Sequence, residues 1–409
     1  MRLALRLARR GLGMTSPNPM VGAVLVKGGN IIGRGWHRRA GLPHAEIETL
    51  RDAQKRGHNP RGATLYVTLE PCCTHGRTPP CTDAIITAGI KKVVVGATDP
   101  NPKHAGKGFR IFRRAGIEVF GLRRHVGALK SGDMSPQSKL ADECERLNES
   151  FNHWIVHRTP FVTVKAAMTL DGKIATASGE SKWITGEKAR AHGMILRRGS
   201  DAILAGVNTI LADDPSLTAR TEMEDGRWKM ANPIRRIVLD SLARTPVTAK
   251  VVSDAFAALT TIVVCKHAPE NRVAALAKRV NVLVAPASKS KVGRASSRAG
   301  SSGASPHQID LRWLMRKLGS ENVTSLLVEG GGEVNASFLL GGFAQRVAFF
   351  YAPKILGGRN SRKAVAGDGA KNLADSLQLR DIKWKRLGVD LLLTARIGQT
   401  RPDGVSFHR

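Results

Sequence analysis

Residues 70–81 of the chain have the sequence Glu70-Pro71-Cys72-Cys73-Thr74-His75-Gly76-Arg77-Thr78-Pro79-Pro80-Cys81, and Pro43-His44-Ala45-Glu46 precedes them. One imidazole and two thiolates suit a zinc ion that keeps its fourth coordination position for water. Glu46 follows His44 by two residues, where it is poorly placed as a fourth ligand but well placed to move protons to and from that water. The two segments therefore predict a metal site made of His44, Cys72 and Cys81, with Glu46 beside it.

The local structure expected around these residues supports the metal site. Pro43 precedes a helix predicted at 44–54, and Cys81 opens another predicted at 82–88. A helix N-terminus stabilises a thiolate through its unpaired N–H groups and its dipole. His-x-Glu followed by Pro-Cys and a second Cys is the arrangement of zinc deaminases, in which an activated water attacks an amine-bearing carbon. A closed structural zinc site is the alternative, with Cys73 and His75 as competitors for a coordination position. We interpret His75 as a substrate-side hydrogen-bonding residue.

Short apolar runs alternate with helical segments along residues 1–125, which predicts an α/β domain with helices packed on a largely buried sheet. At the start, Leu3, Leu7 and Leu12 share a helical face, and we interpret this segment as a core helix rather than a basic transit segment. The remaining elements are strands at 21–26, 31–35, 63–69, 92–96 and 117–121 and a helix at 107–115.

The second half of the chain repeats this alternation and predicts a second α/β domain. A loop at 127–137 and a helix at 140–151 lead to Arg158-Thr159-Pro160, and we divide the chain into domains at 1–150 and 151–409. Residues 287–306 are almost entirely Ser, Gly, Ala, Lys and Arg, which predicts a disordered insertion. Strands are predicted at 161–166, 202–205, 236–239, 261–265, 281–284, 325–328 and 347–351.

A glycine-rich turn marks a candidate anion site in the second domain. Gly330, Gly331 and Gly332 follow the strand at 325–328 and precede a helix predicted at 334–340. Consecutive glycines let backbone N–H groups approach a phosphate closely, and a helix N-terminus favours the anion. Because the Gly-x-Gly-x-x-Gly pattern is missing, a tight structural turn is an equally good interpretation.

The overall charge of the chain raises the question of a nucleic-acid partner. Lys and Arg number 64 against 33 Asp and Glu, and the formal net charge of +31 is spread over both halves of the 409 residues. Such a charge suits a polyanion. However, only 5% of the residues are aromatic, whereas proteins that bind single strands stack bases on aromatic side chains. We therefore interpret the charge as a solvated background and expect no nucleic-acid partner.

Cysteine usage and hydropathy set further limits. The clustered Cys72, Cys73 and Cys81 favour metal or thiolate chemistry in a reducing compartment, so we expect a cytoplasmic protein. Cys144 and Cys265 stand alone and are expected to be small buried apolar residues. No run of 18 apolar residues occurs, and we expect no membrane span.

The cysteine spacing carries a family resemblance. Eight residues separate Cys72 from Cys81, where the common zinc deaminases have two, and residues 68–81 resemble the riboflavin-biosynthesis pyrimidine deaminase. The segments Ser16–Ala23 and Asp99–Pro102 support the resemblance. It implies a cytidine-deaminase-like three-layer domain in which Asn18 contacts the pyrimidine near the metal. Taken alone, Asn18 between two prolines is a turn residue. The implied zinc ligands are His44, Cys72 and Cys81, with Glu46 as the proton shuttle.

The second half resembles the reductase half of the same bifunctional riboflavin enzymes, whose fold is like that of dihydrofolate reductase. The resemblance rests on the segments Lys165–Lys173, Gly179–Thr185, Val207–Pro215 and Val328–Gly332. It implies that NADPH contacts Ala167, Trp183, Thr209, Asp213, Ser241, Gly330, Gly331 and Gly332. It also implies that a phosphoribosyl substrate contacts Ser181, Arg197, Leu217, Arg220 and Glu329. The two arginines can bind a phosphate through charge-assisted forks.

The resemblance implies a bifunctional enzyme that uses Zn²⁺ and NADPH and is both a hydrolase and an oxidoreductase. The first domain would deaminate 2,5-diamino-6-(5-phosphoribosylamino)pyrimidin-4-one, and the second would reduce the ribosyl unit to a ribityl chain. We also expect a homo-oligomer. One rival is a polynucleotide deaminase, which predicts the short Cys-x-x-Cys spacing. Another is a non-catalytic binding protein, which predicts the loss of Glu46 or of a metal ligand. A chain with one inactive half is the third.

Overall fold

The computed structural model describes residues 1–75, 79–122, 136–222, 228–230, 233–286 and 309–398. The chain forms two compact units, with the division between Thr159 and Pro160. The insertion predicted at 287–306 and residues 127–135 of the predicted loop lie outside the described residues.

In its described residues, the first unit contains one sheet and six α-helices. Its strands are β1 (Gly22–Lys27), β2 (Asn30–Trp36), β3 (Thr64–Leu69), β4 (Lys92–Ala97) and β5 (Glu118–Gly121). Its helices are α1 (Arg2–Ala8), α2 (Ala45–Lys55), α3 (Cys81–Thr87), α4 (Lys107–Arg114), α5 (Pro136–Leu147) and α6 (Glu149–His157). The sheet order is β2-β1-β3-β4-β5. The strands from β3 to β5 run parallel, while β1 is antiparallel to both of its neighbours.

The predicted strands of this unit are confirmed, because their apolar residues form its core. Val93 and Val95 of β4 and Leu65 and Val67 of β3 are at most 1% exposed. Parallel strands are covered on both faces, so they need such near-continuous apolar runs.

Three predictions for the first unit need correction. Leu12 lies beyond α1, whose buried face consists of Ala4, Leu5, Leu7 and Ala8. The helix predicted at 140–151 is two helices, α5 and α6, and α5 includes two residues assigned to the loop. The break falls at Asn148, whose side-chain amide donates to the Met20 carbonyl and accepts from the Met20 N–H. Those bonds hold Asn148 outside the helical conformation.

In its described residues, the second unit has a larger sheet of nine strands, and it also has six α-helices. Its strands are β6 (Phe161–Thr169), β7 (Lys173–Ala175), β8 (Ala202–Gly206), β9 (Arg220–Glu222), β10 (Trp228–Met230), β11 (Arg235–Leu239), β12 (Thr260–Cys265), β13 (Asn281–Ala285), β14 (Ser325–Val328), β15 (Arg346–Ala352), β16 (Arg362–Lys363), β17 (Leu379–Leu387) and β18 (Asp390–Ile397). Its helices are α7 (Glu187–Arg198), α8 (Val207–Asp213), α9 (Lys250–Ser253), α10 (Glu270–Ala277), α11 (Leu311–Ser320) and α12 (Gly332–Leu340).

The order of the large sheet places three loops side by side. The order is β13-β12-β11-β8-β14-β6-β15-β18-β17, and the strands from β13 to β15 are parallel. The carboxyl ends of β11, β8 and β14 are therefore neighbours at one edge of the sheet. In open α/β sheets, ligands bind in the crevice outside these strand ends.

The seven strands predicted for the second half are confirmed, but the terminal hairpin of β17 and β18 was not predicted. Most side chains of β17 are exposed, and Lys383, Lys385 and Arg386 interrupt its apolar residues. Such a strand lacks the buried, apolar pattern on which strand prediction depends. Helix α12 also begins at Gly332, two residues earlier than predicted, because Gly331 is its N-terminal cap residue. Among the described residues, none of the helices has the length and apolar character needed to span a bilayer.

Candidate active sites

The three predicted metal ligands come together in the first unit. The Nδ1 atom of His44 lies 3.5 Å from Sγ of Cys72 and 3.3 Å from Sγ of Cys81. All three ligand atoms lie within 4.8 Å of one another. Tetrahedral Zn²⁺, with Zn–S bonds of ~2.3 Å and Zn–N bonds of ~2.0 Å, separates N from S by about 3.5 Å. The donor set and its spacing therefore fit zinc.

The N-terminus of α3 donates a hydrogen bond to Cys72 rather than to Cys81, the first residue of the helix. The backbone N–H of Cys81 donates to Sγ of Cys72 at 3.4 Å. Hydrogen bonds from the Cys81 thiol and from His44 hold the pKa of Cys72 at about 4, although burial opposes this. The shared hydrogen bond with Cys72, together with burial, raises the pKa of Cys81. Metal binding displaces such thiol protons, so both sulfurs would ligate as thiolates.

Glu46 lies in the first turn of α2, directly beside the metal ligands. Its side chain is buried, and it shares a hydrogen bond with Cys81. Burial, with the negative charge of Cys72, raises the pKa of Glu46 to about 7. A carboxyl group with a pKa near neutrality can both accept and return a proton.

Asn18 is brought to the same site by a residue that the sequence analysis missed. His37 follows β2 and is buried, and its ring centroid lies 5.2 Å from that of His44. Nδ1 of His37 lies 3.1 Å from the carbonyl of Pro43, and Nε2 lies 3.2 Å from Nδ2 of Asn18. If Nδ1 donates to the carbonyl, Nε2 accepts from the Asn18 amide, which fixes the orientation of that amide. No motif surrounds His37, so the sequence carried no signal for it.

Two predicted competitors for the metal do not join it. The ligand group contains His44, Cys72 and Cys81, whereas Cys73 is half-buried and His75 is exposed. Burial raises the pKa of Cys73, which disfavours the thiolate that a metal requires. The interpretation of His75 as a substrate-side residue stays a prediction.

A second missed residue is Glu70, which ties the cysteine loop to the next loop of the unit. Its buried carboxylate accepts the backbone N–H groups of Asp99 at 3.2 Å, Gly106 at 3.0 Å and Gly108 at 3.0 Å. Glu70 thus joins the segment before Cys72 to the start of α4. Its position two residues before a ligand cysteine was the available signal.

In the second unit, one groove of about 1450 Å³ gathers every residue predicted for the reductase half. It lies at the carboxyl ends of β8, β11 and β14. The predicted cofactor residues that line it are Ala167, Trp183, Thr209, Asp213, Ser241, Gly330, Gly331 and Gly332. The predicted substrate residues that line it are Ser181, Arg197, Leu217, Arg220 and Glu329. The two sets are not separate, since the Ser181 hydroxyl donates to Asp213 at 2.9 Å.

Glu329 is held in this groove by two cations. Arg197 donates from Nε and Nη2 to the two carboxylate oxygens, both at 2.9 Å, and Lys165 lies 3.5 Å away. Burial opposes the ionisation of Glu329, but the two cations outweigh it and hold its pKa at about 2. Nη1 of Arg197 donates to the carbonyl of Thr218. Most of the Arg197 guanidinium is therefore engaged within the protein. Lys165 begins the segment Lys165–Lys173, but the sequence did not identify it as a site residue.

Trp183 projects from the groove wall with 68% of its surface exposed. The guanidinium of Arg190 lies 4.7 Å from the centroid of its ring, and Lys354 donates to its backbone carbonyl at 3.0 Å. An exposed, supported indole offers a flat surface to a planar ligand.

The three glycines of the turn have different roles. A Cβ atom on Gly330 would meet the side chain of Val334, and one on Gly332 would meet the carbonyl of Lys363. A Cβ atom on Gly331 would meet nothing. Close packing thus explains two of the glycines, and Gly331 leaves its backbone open to the groove.

Comparisons with known proteins give matches to both halves of the chain. Residues 160–393 match the family model described as RibD C-terminal domain, and residues 1–97 match the cytidine and deoxycytidylate deaminase zinc-binding region. The riboflavin biosynthesis protein RibD of Aquifex aeolicus is 42% identical over 96% of this chain and 96% of its own, and that of Actinobacillus pleuropneumoniae is 40% identical over 96% and 93%.

Solved structures show the same two-domain architecture. Acinetobacter baumannii RibD superposes with a TM-score of 0.76 at 32% identity, over 97% of this chain and 98% of its own. A diaminohydroxyphosphoribosylaminopyrimidine deaminase/5-amino-6-(5-phosphoribosylamino)uracil reductase from Thermotoga maritima gives 0.73 at 33% identity, over 97% of both chains. The cytidine-deaminase-like and dihydrofolate-reductase-like folds expected from the sequence are thereby confirmed, and so are the expected deaminase and reductase activities with zinc and NADPH. The chain belongs to the RibD family of riboflavin biosynthesis, with a zinc-binding deaminase domain and an NADPH-using reductase domain.

Proposed function

We propose that residues 1–150 hydrolytically deaminate 2,5-diamino-6-(5-phosphoribosylamino)pyrimidin-4-one and that residues 151–409 reduce the ribosyl unit of the product to a ribityl chain. The main support for the proposal is that His44, Cys72 and Cys81 lie close together, beside the buried carboxyl of Glu46. A binding protein without catalysis has no need of such a carboxyl beside three metal ligands. The phosphoribosyl pyrimidine is favoured over a polynucleotide because the relatives act in riboflavin biosynthesis.

In the deaminase site, His44, Cys72 and Cys81 would hold zinc, which when bound supplies Lewis-acid activation of a water molecule. Glu46 accepts a proton from that water as its oxygen adds to the amine-bearing carbon. Glu46 then delivers the proton to the departing nitrogen, and ammonia leaves. The Asn18 amide, held by His37, binds the pyrimidine edge. A pKa of about 7 suits Glu46 to both proton transfers.

In the reductase groove, NADPH would when bound supply the hydride for reduction at C1′ of the ribosyl unit. Glu329 fixes Lys165 and Arg197 in the groove wall, so that their positive charges face an anionic substrate. Arg220 is exposed at the start of β9 and is available for the substrate phosphate. Trp183 and the glycines at 330–332, which line the groove, would hold the cofactor.

The proposal is tested by incubating the purified chain with the diaminopyrimidine substrate, first without and then with NADPH. We expect ammonia release in both cases and NADPH oxidation only after deamination. Mass spectrometry should show a gain of about one mass unit for the deamination, in which water is added and ammonia lost, and a further gain of about two for the reduction. Ammonia release without any NADPH oxidation would show that the reductase half is inactive. Reduction of the substrate before deamination would contradict the proposed order.

We further propose that the protein is a cytoplasmic homo-oligomer. Ile382 and Trp384 on strand β17 are 53% and 59% exposed, and contact with another chain would cover these apolar side chains. The five cysteines are unpaired, and the thiols of Cys72 and Cys81 must stay reduced to bind a metal. Light scattering on the eluted protein gives the mass of the assembly, and a mass of one chain would contradict the oligomer.

A further inference from the structure

The groove of the second unit is lined by nine lysines and arginines, and several of them contact other groups of the protein. Arg197 is paired with Glu329, and Lys250 lies 3.5 Å from Asp214. The guanidinium of Arg190 covers Trp183 and donates to a backbone carbonyl. Arg244 forms no ion pair among the described residues, and its Nη2 donates to the neutral Oδ1 of Asn208 at 2.8 Å.

Arg244 lies at one end of the groove, on the loop that follows β11. This loop also carries Ser241, while Asn208 belongs to the first turn of α8, which follows the neighbouring strand β8. Arg244 also lines a smaller cavity of about 380 Å³ with Arg272 of α10, so its side chain stands between the two cavities. The glycines at 330–332 follow β14, on the other side of β8.

We propose that Arg244 binds the 2′-phosphate of NADPH and makes the reductase prefer NADPH to NADH. The inference rests on the proposed binding of the cofactor across the ends of β14, β8 and β11. NADPH differs from NADH by one phosphate monoester on the adenosine ribose, which carries nearly two negative charges. A planar guanidinium with several unused N–H donors matches the oxygens of such a group.

The loop around Arg244 is fixed by the protein before any ligand arrives. The buried carboxylate of Asp240 accepts both the backbone N–H and the hydroxyl of Thr245 at 2.7 Å. The carbonyl of Ser241 accepts the N–H of Cys265 in the adjacent strand β12. Asn208 then orients the guanidinium itself. A group held in this way loses little freedom when a ligand binds, which increases affinity.

The arginines that line the groove thus have different proposed tasks. Arg220 and the pair of Arg197 with Glu329 serve the substrate in the proposed function, while Arg244 stands at the carboxyl end of β11. Two anionic groups, the substrate phosphate and the cofactor 2′-phosphate, would then be recognised by different residues. A substitution at Arg244 should therefore separate cofactor choice from substrate binding.

The test measures equilibrium dissociation constants of NADPH and NADH for the full chain by fluorescence of the reduced nicotinamide. Arg244→Gln should weaken NADPH binding by about 10- to 100-fold, the loss of a charge-assisted hydrogen bond, and change NADH binding by less than about 2-fold. Arg244→Lys retains the charge without the fork and should lie between these values. Arg272→Gln is the matched control, because Arg272 lines only the smaller cavity, and it should alter neither constant.

Competition with 2′,5′-ADP and 5′-ADP gives a second readout that does not involve the nicotinamide. Wild-type protein should bind 2′,5′-ADP more tightly, and Arg244→Gln should remove that preference. Equal losses for NADPH and NADH, or an unchanged NADPH constant in the Gln and Lys variants, would overturn the inference. A wild-type chain that bound neither dinucleotide would instead refute the proposed reductase function, and with it this role of Arg244.

Discussion

At the scale of single residues, the two sites show how surroundings set the protonation of a buried carboxyl. Burial raises the pKa of Glu46 to about 7, and the negative charge of Cys72 adds to this effect. Burial opposes the ionisation of Glu329 as well, yet Arg197 and Lys165 hold its pKa at about 2. Glu46 is thus suited to exchange protons, and Glu329 to remain an anion that organises its two partners.

Replacement of Glu46 by Gln should stop ammonia release while the protein still binds zinc. The amide fills the same space but cannot move a proton, and a positioned general acid–base typically contributes about 10²- to 10⁴-fold to the rate. Ammonia release and zinc content per chain are the two measurements. The control is Glu48→Gln. Glu48 also lies in α2 but pairs with Arg38, so this variant should retain activity. Loss of zinc from the Glu46 variant would assign Glu46 to the metal rather than to proton transfer.

Replacement of Glu329 by Gln should destabilise the second unit, because it leaves the Arg197 guanidinium, which is only 14% exposed, without its anion. Breaking a buried pair by removing one partner costs about 3 kcal/mol or more. Calorimetric unfolding at pH 7 measures this loss. Glu321→Gln is the control, since Glu321 pairs with Arg235 and Lys317 at the surface and should cost less than about 1 kcal/mol. Equal shifts in the two variants would contradict the structural role of Glu329.

The same carboxyl predicts a pH dependence of stability. Its folded pKa of about 2 lies below the ordinary value of 4.5, so its contribution is complete above pH 4.5. That contribution is lost as the pH falls from about 4.5 to 2, because protonation then costs the folded state more than the unfolded state. Wild-type protein should lose more stability over this interval than Glu329→Gln, and parallel curves in calorimetry would contradict the assignment.

At the scale of elements, the sequence predicted what depends on local patterns and missed what depends on distant partners. The strands with buried apolar runs and the helix at Cys81 were found because their signals are local. Strand β17 was missed because both of its faces carry exposed charges. The break at Asn148 was missed because its partner, Met20, lies 128 residues away. The contribution of Lys165 to the groove was missed for the same reason, because its partner Glu329 lies 164 residues later.

The glycine turn before α12 gives a matched pair of variants. Gly332→Ala places a Cβ atom against the carbonyl of Lys363, a backbone atom that cannot easily yield. It should cost about 1–3 kcal/mol and lower the melting temperature by several degrees. Gly331→Ala meets no neighbour and has a φ of −72°, so its melting temperature should stay within about a degree of wild type. Its Cβ atom enters the groove, and NADPH should bind several-fold more weakly. Similar melting temperatures for the two variants would contradict the packing explanation.

Glu70 offers a further test at this scale, because it joins the cysteine loop to the start of α4. Glu70→Ala leaves three backbone N–H groups without their acceptor, two of which belong to Gly106 and Gly108. Stability should fall by about 2–3 kcal/mol and ammonia release should decline, because the segment carrying Cys72 loses its anchor. Asp83→Asn, in the first turn of α3, is a control. A variant with unchanged thermal unfolding would show that Glu70 does not hold the two loops together.

At the scale of the whole molecule, each unit has its own hydrophobic packing and its own candidate site. Leu65, Val67 and Val93 belong to the core of the first unit, and Val164, Leu204 and Val328 to a core of the second. The net charge of +31 belongs to neither site alone. Nine lysines and arginines, among them Arg197, Arg220 and Arg244, line the groove. The remaining excess charge has no structural explanation in the described residues.

Because the sites are separate, removal of the metal should abolish one activity and spare the other. All three metal ligands lie in the first unit, while the groove is lined by residues of the second. Dialysis against a strong chelator should therefore stop ammonia release and leave NADPH oxidation intact when the substrate has already been deaminated. Addition of one equivalent of Zn²⁺ per chain should restore ammonia release, since the group offers one set of three ligands. Melting temperature before and after dialysis controls for unfolding, because ligands that bind the folded state stabilise it. If chelation stopped reduction of the deaminated substrate while the second unit stayed folded, the two sites would depend on each other, contrary to this prediction.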